Sequence, residues 1–482
     1  MYFPIRLDIK QMKWLSLLIF ISGYLLTYKY FTAVRIEFAA YNFLALVALA
    51  ILLKNIDFSN KKFIAIWIAV VLLLMGYFIR FYWITIDPLP VEKMLPWNPF
   101  RTMVADRNAL FLSFQFSVIA FVSFCFSVSI LLLFLKNHVK SEIYHLQPDS
   151  SISKIKIGRI LLILTVVMTS ALAYLSYQFQ IGEMGSSSGD ALPFRLKGII
   201  FYSRVVCVPL LILLCINILD NANDVIGSRI GILILIFNGV TDMFLRNSRS
   251  SLLLALLLLV FLFLAGGLRL RVKEKFFLGL IAVLAFLMVP VMTEYRQVRL
   301  IQNLSHFDAL TVLFEKGESS WLLQFTQGLK FVLFRMPGIE SLWCQLALGA
   351  RPLGIYSLDI INSTNGIAGY LTYVIHPMKE ANNTLLAPGF VGWLYLVGGI
   401  PVIIVGSLCV GFITVLVWSL IDTVFIKIGA TAKAFLLWML FLALTEGTLD
   451  SMGFMLLAGI ATLIIMEILL RMVFLKKITN EK

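Results

Sequence analysis

Residues 109–135 read ALFLSFQFSVIAFVSFCFSVSILLLFL, 27 positions without one charged side chain. A helix needs roughly 20 apolar residues to cross the hydrocarbon of a bilayer, so this stretch is long enough to span it. It lacks the strict apolar–polar alternation of a barrel strand, and a backbone in lipid has no water to bond, so the run is read as a helix. Such runs recur about twelve times. Their approximate limits are 14–32, 37–53, 63–86, 109–135, 160–178, 204–219, 230–246, 250–267, 276–293, 389–419, 434–449 and 452–470. The tenth is too long for one straight crossing, and Gly398, Gly399 and Pro401 predict a kink or a half-helix within it.

The whole chain agrees with that stretch. Of 482 residues, 60% are apolar and 14% charged, against roughly 45–50% and about 25% in soluble domains. A soluble globular protein is excluded, and the expected fold is an all-α polytopic membrane helix bundle. The net charge of +14 would suggest nucleic acid in a soluble chain. Here the cations sit in segments flanking apolar runs, so no nucleic-acid partner is expected. Cys125, Cys207, Cys215 and Cys409 lie inside apolar runs and Cys344 in a loop, a scatter that supports neither a disulfide framework nor a metal site. There is no H-E-x-x-H, D-x-D or P-loop pattern, so metal chemistry and ATP use have no motif behind them and no cofactor is expected. Arg6, Lys10 and Lys13 lead into the first run without a small-residue cleavage site, which reads as a retained span.

Lys and Arg concentrate in cytoplasmic loops, and with both termini placed inside, the inner segments carry 16 Lys and 6 Arg, the outer ones 6 Lys and 11 Arg. The outer arginines run against the orientation rule and call for another explanation. The chain then divides into spans one to nine (1–293), a large outer loop (294–388) and spans ten to twelve (389–482). A structureless loop of that size is unusual in a compact protein. Within it, apolar residues at helical spacing predict one helix over 320–334, and a second over 339–348 ending at Gly349, both lying along the membrane surface.

Guanidinium groups are planar, permanently charged and fork onto two oxygens, so an outward cluster of them calls for an anion such as phosphate or pyrophosphate. Asn238, Asp242, Arg246 and Arg249 fall at helical spacing on one stripe of the seventh span. Polar groups on a span face the bundle interior or a substrate path, although Asp242 and Arg246 at i, i+4 also suit simple mutual neutralisation. The ninth span runs into Glu294, Arg296 and Arg299, and Arg335 and Arg351 stand near the ends of the two loop helices. The substrate-binding candidates are therefore Asp242, Arg246, Arg249, Arg296, Arg299, Arg335 and Arg351. As catalytic base, His376, Glu294 and Glu340 are the candidates.

Many spans, one large late outer loop rimmed by arginine, and a glycine-rich span after it form a recognisable pattern. Arg246-Asn-Ser-Arg249-Ser-Ser before the leucine-rich eighth span, and Asn383-Thr-Leu-Leu-Ala-Pro-Gly-Phe-Val-Gly392 running on to Gly398-Gly399, carry the likeness. The chain resembles the bacterial O-antigen polymerases of the Wzy type and, more distantly, the O-antigen ligases. The resemblance implies a glycosyltransferase of the inner membrane acting on its periplasmic face. Donor and acceptor would be undecaprenyl-pyrophosphate-linked glycans, with membrane lipids and a chain-length regulator as further partners. Ligase relatives place His directly before the Asn that precedes the re-entering span; here Ala381 precedes Asn382 and the nearest histidine is His376, which favours polymerase. A ligase and a lipid-linked oligosaccharide flippase or secondary transporter remain the alternatives.

Overall fold

A computed structural model describes residues 9–56, 63–87, 106–136, 151–182, 196–248, 250–302, 308, 311–312, 338–361, 366–375, 387–447 and 449–480. In chain order the helices are α1 (Ile9–Thr27), α2 (Arg35–Asn55), α3 (Ile64–Ile86), α4 (Arg107–Lys136), α5 (Ser151–Gln178), α6 (Leu196–Asn221), α7 (Val225–Leu245), α8 (Ser251–Leu264) and α9 (Val272–Gln302). They continue as α10 (Ile339–Ala347), α11 (Ser357–Ile361), α12 (Gly366–Ile375), α13 (Phe390–Val424), α14 (Gly429–Thr445) and α15 (Leu449–Asn480). Among the described residues, nine helices are long and apolar enough to cross a membrane, and three shorter apolar ones lie at Leu17–Tyr30, Ser251–Leu264 and Gly429–Thr445. The all-α multi-pass architecture expected from the runs is what the chain adopts.

The chain forms two compact units. One gathers Met1–Ile143, Met336–Leu420 and Met439–Met452; the other gathers Tyr144–Arg335, Ile421–Trp438 and Gly453–Lys482.

In the first unit α2 packs on α4, and α1 on α2 and α3. Lipid tails are as apolar as the side chains, so these helices associate through close packing rather than escape from water. Aromatic rings supply the contact: Phe81 stacks on Phe114 at 4.2 Å, Phe31 on Phe81 at 5.6 Å, and Phe20 meets Phe78 edge-on at 4.9 Å. The Tyr82 hydroxyl, buried among them, donates to Asn42 Oδ1 at 2.5 Å.

The second loop helix forms where the spacing predicted it, as α10, with Gly349 at φ +69° just past its end. It is covered by protein: Ile339, Leu342, Trp343 and Gln345 are at most 1% exposed, and the helix packs on α4 and on a π-helical turn of α3, Leu74–Ile79. Burial is eased because several polar side chains on α10 find hydrogen-bond partners. Trp343 Nε1 donates to the Asp106 carbonyl at 3.0 Å, Ser341 Oγ to Ala387 at 3.1 Å, and Gln345 Nε2 to Pro388 at 3.4 Å. Cys344, read as a loop residue, is buried too, which pushes its thiol up to about 12 and leaves it inert. The backbones touch at Gly338, where an added Cβ would stand 2.0 Å from the Gly76 carbonyl oxygen. Neither backbone yields easily, so Gly338→Ala is expected to cost about 1–3 kcal/mol and lower the apparent Tm in detergent. An unchanged melt would show that α10 is not held against α3. The predicted break in the tenth span is real: Gly399 takes φ +68°, and the Leu353 N–H donates to the Leu396 carbonyl beside it at 2.7 Å. The predicted helix over 320–334 lies outside the described residues.

In the second unit α6 packs on α5 and α7, α7 on α8, and α8 on α9. Gly231 admits Ile216 and Gly239 admits Ala255, small residues that let α7 come close to its neighbours. Buried Glu467 on α15 accepts the N–H groups of Lys427 and Ile428, pinning the turn before α14. One end of the unit is tied by Arg229, whose guanidinium reaches Glu274 at 2.7 Å, Asp220 at 3.4 Å and the Arg269 carbonyl at 2.9 Å. Beside it Arg159 Nε donates to Asp224 at 2.7 Å.

That bond holds the Asp224 carboxyl below the usual range, with the Gly227 N–H helping and burial opposing. A folded-state value below the unfolded one contributes stability above the unfolded pKa of about 3.9 that disappears as pH falls through the folded value. The gap in apparent Tm between wild type and Asp224→Asn is therefore expected to be constant at neutral pH and to close below about pH 4. A gap that widens on acidification would contradict the assignment.

Candidate functional site

Among the described residues, three arginines are less than one-tenth exposed: Arg80, Arg204 and Arg299. A cation inside a span is costly enough that it faces a partner or a polar path, and each of these meets that demand differently.

In the second unit, α6 carries Phe201 and Arg204 three residues apart, the latter within a π-helical turn, Ser203–Cys207. Such a turn turns the helix face locally, and turns of this type gather at functional positions. α7 carries Asp242 and, at its C-cap, Arg246. The Arg204 guanidinium forms an ion pair with the Asp242 carboxylate, at 3% and 8% side-chain exposure. Arg246 lies in the field of the same carboxylate, and its guanidinium sits over the Phe201 ring at 5.0 Å. Gly182, just past α5, closes the far side: a Cβ there would stand 2.7 Å from the Phe201 ring and 3.7 Å from Arg246 Nε. Two guanidinium groups thus face one carboxylate.

The ninth span contributes a third. α9 runs unbroken past Pro290 to Gln302, and its Tyr295 and Val298 join Met243 and Phe244 of α7 in one apolar cluster, with the Tyr295 and Phe244 rings 5.9 Å apart. That packing carries buried Arg299 to the Arg246 end of α7. Arg229 sits at the other end of α7, roughly 25 Å away at 1.5 Å per residue, close to the thickness of a bilayer core.

Of the expected stripe on the seventh span, Asn238 and Asp242 are buried on α7, which ends at Leu245, with Arg246 as its C-cap and Asn247 at φ +52°. The carboxylate's ion-pair partner is Arg204 of another helix, and Arg246, four residues on along its own helix, acts on it as well. On α9, Glu294 is exposed and Arg296 half-buried. Arg249, Arg335 and His376 lie outside the described residues.

Two candidates belong to the first unit. The sequence offers Glu340 as a candidate base. It is buried on α10 and paired with Arg80 of α3, the residue that follows the π-helical turn of that helix. Burial pushes its carboxyl up, opposed by the Arg80 guanidinium and backbone N–H groups. The pair ties α10 to α3. Arg351 is exposed, four residues beyond Ala347, the last residue of α10. The sequence signal for Arg80 was present, since it is a lone charge within an apolar run. Arg204 was visible only as a flank of an outer loop.

Together these features define a multi-pass helical membrane protein with an arginine-rich end on one of its units. No family model, curated protein or solved structure matches the chain.

Proposed function

We propose that this protein is an inner-membrane glycosyltransferase that polymerises polyprenyl-pyrophosphate-linked oligosaccharide repeat units on the periplasmic side, with both termini cytoplasmic. One observation carries the reading: Arg204 and Arg246 set around Asp242, with Arg299 at the same end of the unit. Two guanidinium groups against one carboxylate leave positive charge at the rim of the spans, where a lipid-borne diphosphate has its headgroup. In the reaction the acceptor hydroxyl oxygen bonds to the anomeric carbon of the donor, and the bond from that carbon to the diphosphate oxygen breaks. The diphosphate leaves with the electron pair, and guanidinium groups stabilise its growing charge without a metal. The hydroxyl proton passes to a base, for which exposed Glu294 is favoured because it shares α9 with Arg299. Both lipid carriers stay in the bilayer, which raises the effective concentration of the sugars that meet.

Incubating the purified protein with lipid-linked repeat units tests this. Longer lipid-linked glycans in detergent support polymerisation. Transfer only to a lipid A core would make it a ligase, and movement across vesicles without new glycosidic bonds would make it a flippase.

A further inference from the structure

The junction of α1, α2 and α4 in the first unit carries a second cationic cluster that the proposed reaction does not use. A short 3-10 turn, Tyr28–Tyr30, follows α1. The Tyr30 ring holds two cations, Lys29 Nζ at 5.1 Å and Arg107 Cζ at 5.1 Å, and the Tyr28 ring holds Arg35 Cζ at 5.8 Å. Lys29, Arg35 and Arg107 are all exposed. Arg35 and Arg107 are the first residues of α2 and α4, helix ends whose dipoles are already positive. Among the described residues, Asp106 and Glu37 are the carboxylates within two positions of these cations in the sequence. Asp106 Oδ1 accepts the Ala109 N–H at 2.9 Å, capping α4; Glu37, two residues after Arg35, does not face it on a helix. Below the charges the surface is apolar and open, with Leu25 60%, Leu26 58% and Ile36 87% exposed.

We infer that this cluster binds the phosphodiester headgroup of an anionic phospholipid, with its acyl chains lying on Leu25, Leu26 and Ile36. Three cations on tyrosine faces at a helix-end rim supply the charge complement, and the adjoining apolar surface suits a lipid rather than a free anion. The tyrosine rings hold the cations in place, reducing the ordering cost of binding.

The full chain is purified in detergent, and retained lipid is counted by native mass spectrometry with phosphatidylglycerol, phosphatidylcholine or inorganic phosphate added. Wild type is expected to retain phosphatidylglycerol over phosphatidylcholine. Lys29→Gln and Arg107→Gln are each expected to weaken that retention about fivefold, from roughly 1 kcal/mol per charge near a membrane surface. Lys29→Gln alone, at an exposed position, decides the matter if Arg107→Gln disturbs folding. Equal retention of both lipids, unchanged retention in Lys29→Gln, or an equal loss in the remote control Arg271→Gln would overturn the inference. Displacement of the lipid by millimolar inorganic phosphate would overturn it as well, by showing a free-anion site.

Discussion

Replacing Glu340 with Leu is expected to cost about 3–5 kcal/mol of stability, and Arg80→Leu a similar amount, because each leaves one charge buried without its counter-ion. The double variant Arg80→Leu, Glu340→Leu is expected to recover most of that loss, since an apolar pair of comparable size removes both desolvation costs together. The arrangement behind this is specific. Arg80 follows the π-helical turn of α3, Glu340 opens α10, and the backbones meet at Gly76 and Gly338. Apparent melting temperatures in detergent, read as a double-mutant cycle, give the coupling between the two positions. Single variants that melt within about 1 kcal/mol of wild type, or a double variant that shows the sum of both losses, would mean that the two charges do not depend on each other.

The second large effect concerns activity. Arg204→Gln is expected to lower glycan turnover by about a hundredfold to a thousandfold, the scale seen when one preorganised group that stabilises developing negative charge is removed. Arg246→Lys keeps the charge but loses the planar fork and its seat on Phe201, so shorter chain-length ladders are expected in a protein that still folds. Asp242→Asn separates a binding role from a packing one. Its carboxylate holds Arg204 and attracts Arg246, in competition with an incoming diphosphate. Removing that negative charge is expected to tighten binding of inorganic pyrophosphate, whereas a purely structural Asp242 would leave binding unchanged or weaken it through misfolding. Pyrophosphate affinity by calorimetry reads the direction. Weaker binding in Asp242→Asn with an unchanged melt would remove the site.

Much of this molecule was legible in local pattern. The ninth span and its arginine-bearing extension follow from residues only a turn or two apart, and α9 continues past Pro290 as the spacing required. Likewise α10 begins after Gly338 and ends before Gly349, both flagged by glycine. The site was legible in part. The types of its residues, and the end of α7 on which they gather, could be read from spacing. The partner of Asp242 could not, since Arg204 comes from another helix at a sequence separation that no helical repeat encodes. The π-helical turns at Leu74–Ile79 and Ser203–Cys207 also left no pattern to find, because a widened turn carries no residue spacing of its own; the first holds LMGYFI and the second SRVVC, with Arg204 inside it.

The chain by itself determined its helices, the break at Gly398 and Gly399, and the membrane as its solvent, because each depends on hydrogen bonds and hydropathy within one segment. Only the tertiary structure decided that α10 is buried against α3 and α4, that Glu340 pairs with Arg80, and that Arg204 joins Arg246 at one carboxylate. Between helices in lipid no difference in hydrophobicity selects the contacting face, so the choice falls to shape and to scarce charges finding one another. Those are properties of the assembled bundle and not of any single run.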